Sequence, residues 1–172
     1  MNRRTTFTLT ALAFRLGTVL PVGKAVGEQT GSALKDQLLG TWMLVSASNE
    51  RQDGNKVDTF GPNPIGILVF DGNGRFSLQE WRSDLPKFAS NNRLEGTTEE
   101  NKAIVQGSIC YFGKYTLDEA AKALTFHLEG GSFPNWNGTS QKRSFTLTDD
   151  ELALSGVSSF GRPFRNVWKR AK

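Results

Sequence analysis

The sequence predicts an all-β protein, a single antiparallel sandwich or barrel of about eight strands with short helical turns. Three observations carry this. Short apolar runs with two-residue alternation recur from Leu39 to the C-terminus, glycine, proline and asparagine clusters separate them, and two short segments alone have a helix pattern. At 172 residues the chain has room for one domain with a core, since folding at this size removes roughly 70% of the extended surface from water.

In chain order, residues 1–27 have the layout of an export signal: a charged start (Asn2, Arg3, Arg4), a mainly apolar stretch from Phe7 to Val22, and small residues at Ala25 and Gly27 where cleavage is expected. Arg3 and Arg4 followed by Phe7 loosely resemble a twin-arginine signal, although Arg15 interrupts the apolar run, so the export route stays open. The expected location is periplasmic or secreted. Residues 28–37 are a polar lead-in, with a turn or two of helix from Ala33 to Leu39 that Gly40 stops, and the barrel domain is expected over 38–172.

Leu39 to Ser48 is the first strand. Gly61-Pro62-Asn63-Pro64 is a rigid turn with a strand starting after it, because neither proline can donate to a ladder. Ile65 to Phe70, the turn Asp71-Gly72-Asn73-Gly74 and Arg75 to Arg82 form a hairpin with glycines where positive φ is needed. Ser83 to Gly96 is an irregular crossing. Thr97 to Ala103 has a helix start at Thr98 ahead of Glu99 and Glu100. Strands follow over Val105 to Leu117, Leu124 to Glu129, Ser144 to Leu147, Leu152 to Leu154 and Asn166 to Lys169.

The net charge of +4 does not mark a nucleic-acid surface. Four of the 21 basic residues, Arg3, Arg4, Arg15 and Lys24, lie in residues 1–27 with no acid among them, which leaves 17 basic against 17 acidic from Glu28 onward. Nothing after the leader approaches the ~20 apolar residues of a membrane helix. With a single cysteine, Cys110, and a single histidine, His127, no intramolecular disulfide and no multi-histidine metal site can form, and no cofactor-binding loop is present, so no cofactor is expected. Alternation places His127 with Thr125 and Glu129, away from the apolar face of Leu124, Phe126 and Leu128.

Gly40-Thr41-Trp42 has the form of the Gly-x-Trp signature of lipocalins. Together with Phe60 to Gly66, Arg82 to Arg93, Phe133-Pro134-Asn135-Trp136 leading to Arg143, and Trp168-Lys169-Arg170, it resembles bacterial lipocalin-like domain proteins over roughly Leu38 to Ala171. The resemblance implies a single closed antiparallel up-and-down β-barrel of about eight strands, lipocalin-like, with a ligand cavity and with Trp42 closing one end beneath a basic residue from the last strand: Arg165, Lys169 or Arg170. Gly40, Trp42 and Pro64 are expected to be structural.

The candidate site residues are polar groups in phase with apolar ones, because a charge on a buried face is costly unless paired or solvated. Glu80 and Arg82 share a face with Phe76 and Leu78, Arg143 shares one with Phe145 and Leu147, and Tyr111 and Tyr115 share one with Ile109, Gly113 and Leu117. Trp136 lies in a turn-rich loop placed as a lid over a barrel mouth. Glu80, Arg82, Tyr111, Tyr115, Trp136 and Arg143 are thus the expected ligand-binding set, for a small, partly apolar molecule with an anionic end met by Arg82 or Arg143. Two alternatives stay open: an isomerase or cyclase using Glu80 and a tyrosine to move protons, and a structural envelope module whose barrel is plugged by an ion pair of Glu80 with Arg82 or Arg143. No catalytic residue and no oligomeric state is legible.

Overall fold

The computed structural model describes residues 33–172. The expected export signal and the first part of the lead-in lie outside the described residues. Helix α1 (Ala33–Leu38) precedes nine strands: β1 (Gly40–Glu50), β2 (Lys56–Asp58), β3 (Ile65–Phe70), β4 (Arg75–Trp81), β5 (Ser108–Asp118), β6 (Ala123–Gly131), β7 (Ser140–Leu147), β8 (Glu151–Val157) and β9 (Pro163–Arg170). Helix α2 (Thr98–Gly107) lies between β4 and β5, and a 3-10 turn (Pro134–Trp136) between β6 and β7. Each strand from β3 to β9 pairs antiparallel with the next, and β1 pairs with both β3 and β9, which closes an eight-strand barrel. The short β2 folds back on the far end of β1.

The hairpin of β3 and β4 forms in the expected register, Phe70 opposite Phe76 and Gly66 opposite Glu80. Asp71 Oδ1 accepts from the backbone N–H of Asn73 and of Arg75, so its side chain builds the turn, and Gly74 takes the positive φ of 79°. Gly72 does not need one. The second helix is longer than expected. Thr97, not Thr98, caps it in a reciprocal box with Glu100, and it runs to Gly107, so Val105 is helical and β5 begins at Ser108.

Inward residues fill one half of the barrel. Trp42, Leu68, Phe70, Phe76, Phe126 and Trp168 are buried there, with Tyr115 edge-on to Phe70 at 4.9 Å. Trp42 closes that end as expected: its indole N–H donates to the Leu38 carbonyl and Arg170 lies 4.2 Å from its ring centroid, so of the three basic candidates Arg170 is the partner. Gly113 sits inward between Tyr111 and Tyr115 at a register shift, where a Cβ would lie 2.0 Å from the His127 carbonyl oxygen. A bulge between Leu44 and Ser46 turns Val45 outward and reverses the alternation of β1, so that Ala47 and Asn49 face in after Trp42 and Leu44. No described helix is long and apolar enough to cross a membrane, and no group of three potential metal-ligating side chains occurs among the described residues.

Candidate ligand cavity

The other end of the barrel is open. A cavity of about 570 Å³ begins there, within the range of small-molecule sites. Its apolar wall includes Phe60, Ile104, Ile109, Trp136, Phe160 and Phe164, contributed by the loop after β2, helix α2, β5, the 3-10 turn and the β8–β9 hairpin. Its polar side chains Glu80, Tyr111, Gln141, Arg143 and Asn166 come from four different strands. These lie where alternation carries the inward faces past the packed half.

Glu80 is 4% exposed. Asn166 Nδ2 donates to its Oε1 at 2.5 Å, and no other described side chain bonds to the carboxyl. Burial pushes this carboxyl up from 4.5 to about 7, against the opposing pull of the Arg143 charge and the Asn166 hydrogen bond. Arg143 is 7% exposed and lies over three rings, 5.0 Å from the centroid of Phe126, 5.1 Å from Phe164 and 5.6 Å from Tyr111, while its Nη2 donates to Gln141 Oε1 at 2.8 Å. The ion pairs among the described residues are Arg75 with Glu129 and Arg82 with Asp84. Glu80 and Arg143 therefore feel each other's charge without pairing, and the ion-pair plug weighed from the sequence does not form. Burial also raises the Tyr111 phenol to about 12, so it stays protonated at neutral pH.

Two expected site residues lie elsewhere. Arg82 shares the phase of Glu80, but β4 ends at Trp81 and the chain turns outward, where Arg82 donates to Asp84 in an exposed pair and its backbone N–H to the Gly107 carbonyl. Tyr115 is inward but four residues from Tyr111, about 13 Å along the strand. Its hydroxyl donates to the Asp71 carbonyl near the packed end. Trp136 lines the cavity at its mouth, edge-on to Tyr111 at 5.5 Å. His127 is on the outer face between Thr116 and Ser140.

Among the polar lining residues outside the expected set are Gln141, Asn166 and Asn49, each carried by a strand. Gln141 and Asn166 were readable in principle, because they keep phase with Arg143 and with Trp168. Asn49 was not, because the bulge reverses its phase. Its Nδ2 donates to Thr59 Oγ1, and its buried Oδ1 has no partner, leaving a free acceptor in the cavity wall.

Fold and site together define a closed antiparallel barrel that is packed at one end and hollow at the other. The chain matches the lipocalin-like domain family over residues 39–166, and it belongs to that family. It is 31% identical over 87 residues, 47% of this chain and 78% of the relative, to the 4'-hydroxy-3'-methoxypropiophenone carrier protein of Aspergillus oryzae (strain ATCC 42149 / RIB 40). Among solved structures it is similar to a redesigned β-barrel, mFAP1, bound to DFHBI (16% identity, 79% of this chain and 97% of that one, TM-score 0.43). A de novo fluorescence-activating β-barrel matches at 13% identity, 80% of this chain and 96% of that one, TM-score 0.41.

Proposed function

We propose that this protein is a carrier that holds one small, partly apolar aromatic molecule in the open half of the barrel, with an acceptor oxygen of the ligand, neutral or anionic, on Arg143. The observation that carries this reading is the buried Arg143 guanidinium, which meets only neutral groups, the Gln141 amide and the Tyr111 hydroxyl, and otherwise faces a 570 Å³ cavity with aromatic walls. A guanidinium has five N–H donors, and leaving them dry and unpaired is costly unless a ligand or water accepts from them. The named cargo of the Aspergillus oryzae relative, a hydroxylated aryl ketone, has the size and acceptor chemistry this cavity suits.

Titration with 4'-hydroxy-3'-methoxypropiophenone tests it, followed by quenching of tryptophan fluorescence, since Trp136 stands in the cavity wall. Saturable quenching is expected, with Arg143→Met weakening affinity by about 1.5 to 3 kcal/mol, the worth of a hydrogen bond to a charged group. Absence of saturable binding of this ketone and of a panel of aromatic acids would remove the carrier reading.

A further inference from the structure

Glu80 and Arg143 are an unusual pair to leave apart. Each is nearly inaccessible to bulk solvent, they are near enough for the guanidinium to act on the carboxyl electrostatically, and yet each is held by a different neighbour. Asn166 on β9 holds one oxygen of Glu80. Gln141 and the faces of Phe126, Phe164 and Tyr111 hold Arg143. The second oxygen of Glu80 has no partner among the described side chains, Arg143 keeps N–H donors beyond those that meet Gln141 and the Tyr111 hydroxyl, and both groups line the same cavity. A site that only stores an apolar molecule gains nothing from an acceptor and a cation kept separate in its floor. Chemistry that needs a base and an oxyanion donor on adjacent atoms of one molecule requires that arrangement.

We propose that this floor moves a proton: with a small aryl ketone seated in the cavity, Glu80 takes a hydrogen from the carbon next to the carbonyl while Arg143 holds the carbonyl oxygen, so that the carrier also enolises its cargo. This rests on the carrier reading above. In the step the C–H bond breaks, its electron pair becomes the carbon–carbon π bond, the carbonyl π pair moves onto oxygen as an enolate held by the Arg143 N–H groups, and the proton resides on Glu80. Return of that proton to the same carbon restores the ketone. Return to oxygen or to a conjugated carbon gives the enol or a shifted double bond. Nothing is oxidised or reduced, and no co-reactant is needed. Glu80 is the catalytic base, Arg143 the oxyanion donor, and Asn166 the positioning residue that fixes the base.

Proton NMR of 4'-hydroxy-3'-methoxypropiophenone in D2O with the full-length protein tests this, by following loss of the methylene signal next to the carbonyl. At saturating ketone the protein should speed exchange by about 100-fold or more over buffer, the usual worth of a positioned base. Glu80→Gln, also at saturation so that any change of affinity drops out, should return the rate to that of buffer. Arg143→Met should slow it by about 100-fold or more, as for loss of an oxyanion donor. Arg82→Met, whose side chain lies outside the cavity, should exchange like the wild type. A measurement on the wild type alone guards against a variant that fails to fold: its exchange rate should climb through about pH 7 and level off as Glu80, which faces Arg143, Tyr111 and Asn166, becomes a carboxylate. Hydroxide catalysis would keep climbing without a plateau. Saturable binding with exchange at the buffer rate, or exchange undiminished in Glu80→Gln, overturns the proton-transfer proposal and leaves the carrier standing. No binding of the ketone overturns the proton-transfer proposal, and the carrier reading falls with it only if the aromatic acids fail to bind as well.

Discussion

At each end of the barrel an arginine lies over aromatic rings, and the two are satisfied in opposite ways. Arg170, over Trp42, donates from Nε, Nη1 and Nη2 to the carbonyls of Asp149, Leu39 and Gln37. Arg143, over Phe126, Phe164 and Tyr111, meets only the Gln141 amide and the Tyr111 hydroxyl and leaves its other donors to the cavity. Backbone carbonyls cannot titrate or depart, so the first arginine locks the helix α1 segment and the β7–β8 turn onto the closing tryptophan. The second has a carboxyl nearby but not in contact. An arginine on an apolar face thus either fastens the fold or awaits a guest, and the supply of nearby backbone acceptors decides which.

The comparison breaks first at Trp42. If the closed end is the structural half, Trp42→Ala should cost about 3 to 5 kcal/mol in urea unfolding, the range for deleting a buried large aromatic. It also removes the Leu38 hydrogen bond and the face on which Arg170 rests. A loss under about 1 kcal/mol would mean the packed end does not hold the barrel shut.

The open end should show itself through pH. The folded protein holds the Glu80 proton up to about pH 7, whereas in the unfolded chain the group ionises near 4.5. Between those values the native state binds the extra proton, so stability falls as pH rises through that window. At 1.36 kcal/mol per unit the loss totals about 3 kcal/mol by pH 8. Glu80→Gln should flatten this part of the profile, so urea midpoints from pH 5 to pH 8 compare the two directly. Parallel profiles would show that Glu80 is solvated in the folded state.

How much of this was legible follows the same division. The closed end was readable almost residue by residue, because Gly40-Thr41-Trp42, the Asp71 turn and the alternation of β4 are local signals that the packed half obeys. In the open half the alternation placed Glu80, Tyr111 and Arg143 correctly, then failed wherever a strand ended or shifted. Arg82 kept the phase of Glu80 on paper, but the strand stops one residue earlier and Asp84 offers a nearer carboxylate. Asn49 was hidden by a bulge at Val45, which depends on how β1 meets β9 and has no local mark in the sequence. Helix α2 is legible from Thr98, Glu99 and Glu100 to within one residue of its true cap, Thr97, but its length is not, since Val105-Gln106-Gly107 reads equally well as the start of β5; Ile104, Val105 and Gln106 in the cavity wall therefore have no local mark.

The finest test exchanges the two arginines for methionine one at a time, keeping their bulk. Arg170→Met strands three backbone carbonyls and removes a cation from the Trp42 face, so a loss of about 2 kcal/mol is expected. Its acceptors do not titrate, and the loss should be the same at pH 6 and pH 8. Arg143→Met should cost under about 1 kcal/mol at pH 6, where Glu80 is mostly protonated and a methionine packs against the same rings. At pH 8 the result should differ. The guanidinium charge is one of two influences that hold the Glu80 carboxyl down, so removing it drives that carboxyl further up. A folded-state value raised still further carries the loss of stability to higher pH, and the penalty for Arg143→Met should grow from pH 6 to pH 8. Urea unfolding of the two variants at both pH values decides it. Equal, pH-independent losses would show that Arg143 fastens the open end as Arg170 does the closed one, and that its free donors are not held ready for a ligand.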